Sequence, residues 1–195
     1  MASNTVKIET PLAHGSGGFV SGDLVVTAAH VIHPDNDVPW PAKKLTVVLF
    51  DGTELKVIAC QTHPRWAGSF DATADIAVVR VELDQPDIVV PFASDLPAGS
   101  PRKVTITGYR EGANTGTVTR VAGDQGRDAF VSDNLAYHDG VSGTPVLLQR
   151  GGPAVGIATR SPTTPSPGAF IGVPFLANPD ENNLQWLIDH CPGGQ

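Results

Sequence analysis

The sequence predicts an all-β protein, and three observations carry that prediction. The 21 glycines and 17 prolines are spread over all 195 residues, so the chain turns often and its regular segments are short. Those segments alternate apolar and polar positions, as in Thr5-Val6-Lys7-Ile8 and Glu54-Leu55-Lys56-Val57-Ile58. Only one stretch, Glu181 to His190, has convincing helical spacing, with Leu184, Leu187 and Ile188 on one face and Trp186 nearby. The length suits one all-β unit.

Taken in order, the first half reads as follows. After the strand at Thr5–Ile8, His14-Gly15-Ser16-Gly17-Gly18-Phe19-Val20 is a Gly-rich bend entering a strand. Ser21-Gly22-Asp23 is a hairpin signal, and Leu24-Val25-Val26-Thr27-Ala28-Ala29-His30 is an apolar strand that stops at small residues and a histidine, followed by a short helical turn. Leu45–Phe50 and Glu54–Ile58 form a hairpin joined by Asp51-Gly52. An irregular loop, Thr62-His63-Pro64-Arg65-Trp66, precedes Asp75 at the mouth of the β-branched strand Ile76–Val81. Residues 84 to 102 are rich in Pro, Asp, Gly and Ser and connect two halves of similar length. The second half places strands at Val104–Tyr109, Thr115–Val121, Ala129–Val131, Ala154–Thr159 and Ala169–Val173, with no internal repeat of solenoid length.

Composition excludes several classes of function. The net charge is −7, from 13 basic and 20 acidic residues without a basic stripe, so nucleic acid is not an expected partner. No apolar run reaches membrane-span length. Met1–Thr5 has neither a basic start nor an apolar core, so no signal peptide is expected unless one has been removed, and the expected location is the cytoplasm. Cys60 and Cys191 read as two reduced thiols, with a single disulfide as the other reading. The six histidines fall into no ligand spacing, so no metal and no cofactor are expected.

One stretch carries chemistry: Asp139-Gly140-Val141-Ser142-Gly143-Thr144-Pro145. Glycines around a serine let the backbone take conformations that a β-carbon forbids, which can lift a hydroxyl clear and aim N–H groups beside it. Taken alone, the stretch fits a plain hairpin turn equally well. His30 alone fits a structural histidine, and Asp75 alone fits a turn or cap residue. Together, in the order His30, Asp75, Ser142 and each at a strand edge, they have the logic of an activated nucleophile.

These residues also resemble a known family. Val26-Thr27-Ala28-Ala29-His30 is similar to the histidine motif of the trypsin-like serine peptidases, Asp75-Ile76-Ala77-Val78-Val79 to their aspartate motif, and Gly140-Val141-Ser142-Gly143-Thr144-Pro145 to their serine motif. His63-Pro64-Arg65-Trp66 resembles the loop before the aspartate, and Gly156–Thr159 and Gly172-Val173-Pro174 resemble the strands that frame the specificity pocket. The resemblance runs from about Gly15 to the C-terminal helix. It implies one protease unit over residues 1–195: two six-stranded antiparallel β-barrels side by side, at 5–95 and 103–178, with a C-terminal helix at 179–191. It also implies Ser142 as nucleophile, His30 as general base and then acid, Asp75 orienting His30, and the N–H groups of Gly140 and Ser142 as an oxyanion hole.

The departures from the pattern are informative. Val141 stands where the secreted digestive branch has an aspartate that pairs with a new N-terminus, so activation by N-terminal cleavage is not expected. That branch's disulfides are missing too. The chain looks closer to the bacterial branch that includes glutamyl endopeptidases and HtrA-type proteases, without a PDZ-like domain. The implied function is a serine endopeptidase acting on proteins or peptides, intracellular and controlled by a partner. A peptide-binding scaffold without turnover and an esterase of the same acyl-enzyme chemistry are the alternatives. By the same alignment Ala136 floors the pocket with Tyr137 beside it, Thr159, Arg160 and Ser161 form one wall, Ile171 and Gly172 the other, and Asp139 sits at the rim. Ala136 offers no carboxylate for a buried cation, so cleavage after small or apolar residues is expected. Asp133 or Asp139 folding into the pocket would instead favour Arg or Lys.

Overall fold

The computed structural model of the chain describes residues 5–33, 38–67, 74–83, 89–93, 99–109, 113–121, 129–132, 135, 139–149, 152–159, 170–174 and 184–193. Its strands form two closed antiparallel barrels of six strands each. The first contains β1 (Thr5–Glu9), β2 (His14–Ser21), β3 (Leu24–Thr27), β4 (Thr46–Val48), β5 (Glu54–Thr62) and β6 (Ala77–Val81), in the order β1-β2-β3-β6-β5-β4. The second contains β7 (Arg102–Thr107), β8 (Ala113–Val121), β9 (Ala129–Ser132), β10 (Pro145–Leu147), β11 (Ala154–Thr159) and β12 (Phe170–Pro174), in the order β7-β8-β9-β12-β11-β10. The two orders are the same, offset by six strands, although the sequence shows no repeat. A narrow seam closes the second barrel, where Leu147 of β10 pairs with Thr105 of β7.

Burial follows the strand period where one face meets water. In β5, Leu55 and Val57 point inward while Glu54, Lys56 and Ile58 point out. In β6 every residue is buried, because one face meets the barrel interior and the other is covered by α2 (Leu184–His190). That helix buries Leu184 and Leu187 in the first barrel's core, alongside Val78, Ile76 and Ile157 of β11. Each such leucine contributes about 2 kcal/mol on burial. The helix was expected from Glu181; residues 181–183 lie outside the described residues. Arg80, buried on β6, fixes the far end: its Nε donates to the Pro192 carbonyl at 3.0 Å, and Nη1 meets Asp23 Oδ2 at 2.5 Å. The second core gathers Val104, Ile106, Val118, Phe130, Leu135, Val146 and Val155.

Two expectations change. The Gly-rich segment at His14–Val20 is no bend but part of an unbroken strand, β2. Its glycines are set by close packing: a β-carbon on Gly15 would lie 2.6 Å from Val31, and one on Gly17 2.6 Å from Val25 and 2.7 Å from the Val26 carbonyl. The β4–β5 hairpin turns on three residues rather than on Asp51-Gly52 alone. Leu49 N–H donates to Thr53 O at 2.8 Å and Gly52 N–H to Leu49 O at 2.9 Å, so strand pairing ends at Val48 and Phe50 is exposed. Gly52 takes the left-handed conformation there, φ 90°. The Thr53 N–H on its carboxylate holds Asp51 below the ordinary aspartate pKa.

The barrels are stitched together directly. Thr5 Oγ1 donates to Thr107 O at 2.7 Å, and Tyr109 Oη to Leu49 O at 3.0 Å. The described part of the connector bonds both halves: Val90 N–H to Phe19 O, and Ala93 N–H to Ala154 O, each at 2.7 Å. These bonds fix the cleft between the barrels, where the three motifs lie.

Candidate active site

His30 sits in the short helix α1 (Ala29–Ile32), immediately after β3. Ala28 and Ala29 are fully buried, and their small side chains let the histidine stand at the strand's mouth. Asp75 lies at the centre of a three-residue turn closed by Ile76 N–H on Ala74 O at 2.8 Å. The loop before it pins that turn: His63 N–H donates to Ile76 O at 3.0 Å, and Trp66 N–H returns to His63 O at 2.9 Å.

The Asp75 carboxylate is buried and grips His30 twice. Oδ1 accepts the His30 backbone N–H at 2.8 Å, and Oδ2 lies 2.7 Å from Nδ1. A carboxylate only accepts, so Nδ1 carries the hydrogen and Nε2 of the neutral ring keeps its lone pair. Oδ2 also accepts the hydroxyl of Thr159, which is fully buried at the end of β11. Expected on the wall of the substrate pocket, Thr159 thus has its side chain on Asp75. Nothing in the sequence marks this, since a threonine ending a strand reads alike in either role.

The serine turn lies in the second barrel, just before β10. Thr144 N–H donates to Val141 O at 3.0 Å, closing a four-residue turn with Ser142 second and Gly143 third. Gly143 has φ 87°, and a β-carbon there would lie 2.2 Å from Ser16 O and 2.3 Å from Thr27 Oγ1. Gly143 N–H donates to Ala158 O at 2.7 Å, next to Thr159. The turn therefore abuts Ser16, Thr27 and Ala28, two residues before His30, and the strand end that holds Asp75. Gly140 is also left-handed, φ 89°, with the His14 ring against it. Val141 is buried in the second core, a hydrophobic anchor beneath the serine.

Of the expected pocket residues, Asp139 is exposed beside the turn, and Gly172 lies in β12 opposite Ala158 and Phe130. Ala136, Tyr137, Arg160 and Ser161 lie outside the described residues, as does Asp133; Ile171 pairs through its backbone with Thr159 and Val131. Cys60, half-buried in β5 opposite Val79, and Cys191, buried beyond α2, are free thiols. Among the described residues no group of three His, Cys, Asp or Glu could hold a metal ion, and no helix is long and apolar enough to cross a membrane.

A two-barrel fold that brings a histidine–aspartate pair and a Gly-flanked serine turn onto neighbouring segments fits a peptidase scaffold, and the comparisons with known proteins agree. The chain belongs to the trypsin-like peptidase domain family, whose model matches residues 15–157. It is 27% identical over 176 residues to the peroxisomal leader peptide-processing protease of Homo sapiens, covering 86% of this chain but 29% of that relative. Among solved structures it is similar to the thermostable serine protease AL20 from an extremophilic microorganism, with TM-score 0.67 and 18% identity over 88% of this chain and 90% of that one. It is similar to the Rv3671c protease of M. tuberculosis in its active form, with TM-score 0.62 and 22% identity over 88% and 75%. A scabies mite inactivated protease paralogue matches with TM-score 0.63 and 15% identity over 88% and 86%. At these identities the structures establish the fold.

Proposed function

We propose that this chain is a serine endopeptidase that cuts protein substrates through an acyl-enzyme on Ser142. The observation that carries the reading is the two-point grip of Asp75 on His30, at 2.8 and 2.7 Å, which fixes the tautomer with Nε2 as base. Ser142 Oγ attacks the scissile carbonyl carbon as Nε2 takes its proton. The developing oxyanion is received by the N–H groups of Gly140 and Ser142. His30 then returns the proton to the leaving amine, and water repeats the sequence to release the acid. Cleavage after small or apolar residues belongs to the proposal, as do a bacterial cytoplasmic setting and control by a partner protein. With Val141 packed in the core instead of an aspartate, the site forms without a new N-terminus.

The test is fluorophosphonate labelling of the intact chain, located by mass spectrometry, together with digestion of a denatured protein. Labelling at Ser142 with cleavage supports the proposal. In the Ser142→Ala variant both should vanish, with turnover falling on the order of a million-fold. A folded wild-type chain that neither labels nor cleaves would make the scaffold reading correct, and labelling with ester but no peptide hydrolysis would make it an esterase.

A further inference from the structure

Ser16 lies in β2 of the first barrel, fully buried, and nothing in the chemistry above uses it. Every polar atom it has is engaged, and three of the four bonds that follow reach residues of the second half of the chain. Its backbone N–H donates to Ser142 O at 2.7 Å. Its hydroxyl donates to Gly140 O at 2.6 Å and accepts the Tyr109 N–H at 3.3 Å. Its carbonyl accepts the Thr27 hydroxyl at 2.8 Å. A serine hydroxyl has one hydrogen, and with Tyr109 N–H on the lone-pair side that hydrogen points at Gly140 O.

One residue therefore holds the carbonyls on both sides of the nucleophile, at 140 and 142. The carbonyl between them, Val141 O, is held by Thr144 N–H at 3.0 Å. These carbonyls fix the peptide planes 140–141, 141–142 and 142–143: the Ser142 N–H lies in the middle one, and the Gly140 N–H lies in the plane joined to the first of them at the Gly140 α-carbon. Gly140, left-handed and without a β-carbon, has a backbone freer than that of other residues unless bonds restrict it. The neighbouring glycines make room for this approach: a β-carbon on Gly15 would lie 3.0 Å from Ser142 O, and one on Gly143 2.2 Å from Ser16 O.

We propose that Ser16 is a positioning residue for the oxyanion-binding turn, its hydroxyl and amide in the first barrel fixing the backbone of Gly140 and Ser142 in the second. The inference rests on the endopeptidase reading and names a residue that acts through the turn, not on the substrate. An oxyanion donor held loosely stabilises the transition state less while leaving ground-state binding alone. Removing such a donor outright costs about 100- to 1,000-fold in kcat, so loosening it should cost less, about 10- to 100-fold.

The experiment compares the intact wild-type chain with Ser16→Ala and Ser16→Cys. It measures the second-order rate of fluorophosphonate labelling, kcat and KM on a peptide taken from the wild-type digest, and the thermal transition. Ser16→Ala should fold, label and turn over about 10- to 100-fold more slowly, and keep KM within about twofold. Ser16→Cys, with a weak S–H donor of similar size, should recover part of the loss. A Ser16→Ala chain that labels within twofold of wild type overturns the inference, and so does a change confined to KM. If both variants fail to fold, Ser16 is a folding residue and the inference is equally overturned. A wild-type chain that does not label at all instead brings down the endopeptidase reading, so the two failures are distinct.

Discussion

Replacing Asp75 by Asn removes one charge and reverses one hydrogen-bonding direction while keeping the size of the side chain. The asparagine oxygen can stay on the His30 backbone N–H, now at 2.8 Å from Oδ1. The amide nitrogen then takes the place of Oδ2, facing Nδ1 across 2.7 Å and the Thr159 hydroxyl. A donor now meets a donor at Nδ1. The ring relieves this by moving its hydrogen to Nε2, so that Nδ1 accepts, and the nitrogen needed as base is then blocked. Restoring the useful tautomer forfeits a charge-assisted bond worth about 1.5–3 kcal/mol and leaves a buried donor unsatisfied at about 1–3 kcal/mol. The total, about 2.5–6 kcal/mol, corresponds to roughly 70- to 25,000-fold in rate. In the family's type enzyme the equivalent change costs about 10,000-fold, at the upper end of this range. The assay is kcat on a peptide substrate together with the fluorophosphonate labelling rate, with circular dichroism as the check on folding. A folded Asp75→Asn chain that keeps more than about a tenth of wild-type turnover would falsify the argument from tautomer and grip.

Two further predictions concern stability. Gly143→Ala forces a β-carbon to within 2.2 Å of Ser16 O and 2.3 Å of Thr27 Oγ1 at φ 87°, so it should destabilise the fold by more than about 3 kcal/mol in urea titration; Gly52→Ala, at φ 90° with nothing within 4 Å, should cost only the conformational strain, about 1–2 kcal/mol, and equal losses would refute the steric account. Burial pushes the Cys191 thiol up to about 11, with Arg80 partly opposing the shift, so at pH 8 the protein should react with iodoacetamide there about 100-fold more slowly than an unperturbed thiol. The same shift sets a pH window: below pH 9 folded and unfolded chains both hold the proton, while from about 9 to about 11 only the folded chain does, so stability falls as pH rises through that interval. Comparison with Cys191→Ala isolates this contribution, and parallel stability curves for the two chains across the window would contradict it.

Much of the architecture could be read from residues that turn or alternate. Alternation located β5, a β-branched run located β6, and the helical face of Leu184 and Leu187 located α2. The strands' partners were not readable, because register depends on contacts far apart in sequence, such as Thr105 with Leu147. The duplicated strand order escaped notice for the same reason: it is a likeness of pairing, not of residues. Within the site, His30, Asp75 and Ser142 stood out because each belongs to a short motif. Ser16 has a comparable signal, a serine between Gly15 and Gly17, but glycines at a strand entry read as a bend. Its purpose shows only once Gly143 and Ser142 are seen against it. Thr159 had no signal at all, since only the fold brings it to Asp75.

The placement of α2 has a consequence for how the protein is made. Leu184, Leu187 and Cys191 complete the core of the first barrel, and the carbonyls of Cys191 and Pro192 are caught by Arg80 on β6. A ribosome delivers β1 to β6 long before it delivers those residues, so the nascent first barrel waits with the outer face of β6 uncovered. Its closing contacts are among the most distant in sequence, which slows folding and leaves apolar surface open to chaperones in the interval. The order of synthesis also separates the parts of the candidate site: His30 and Asp75 emerge well before Ser142 and the covering helix. The three motifs therefore meet only after Ser142 has been made and the second barrel has packed against the first.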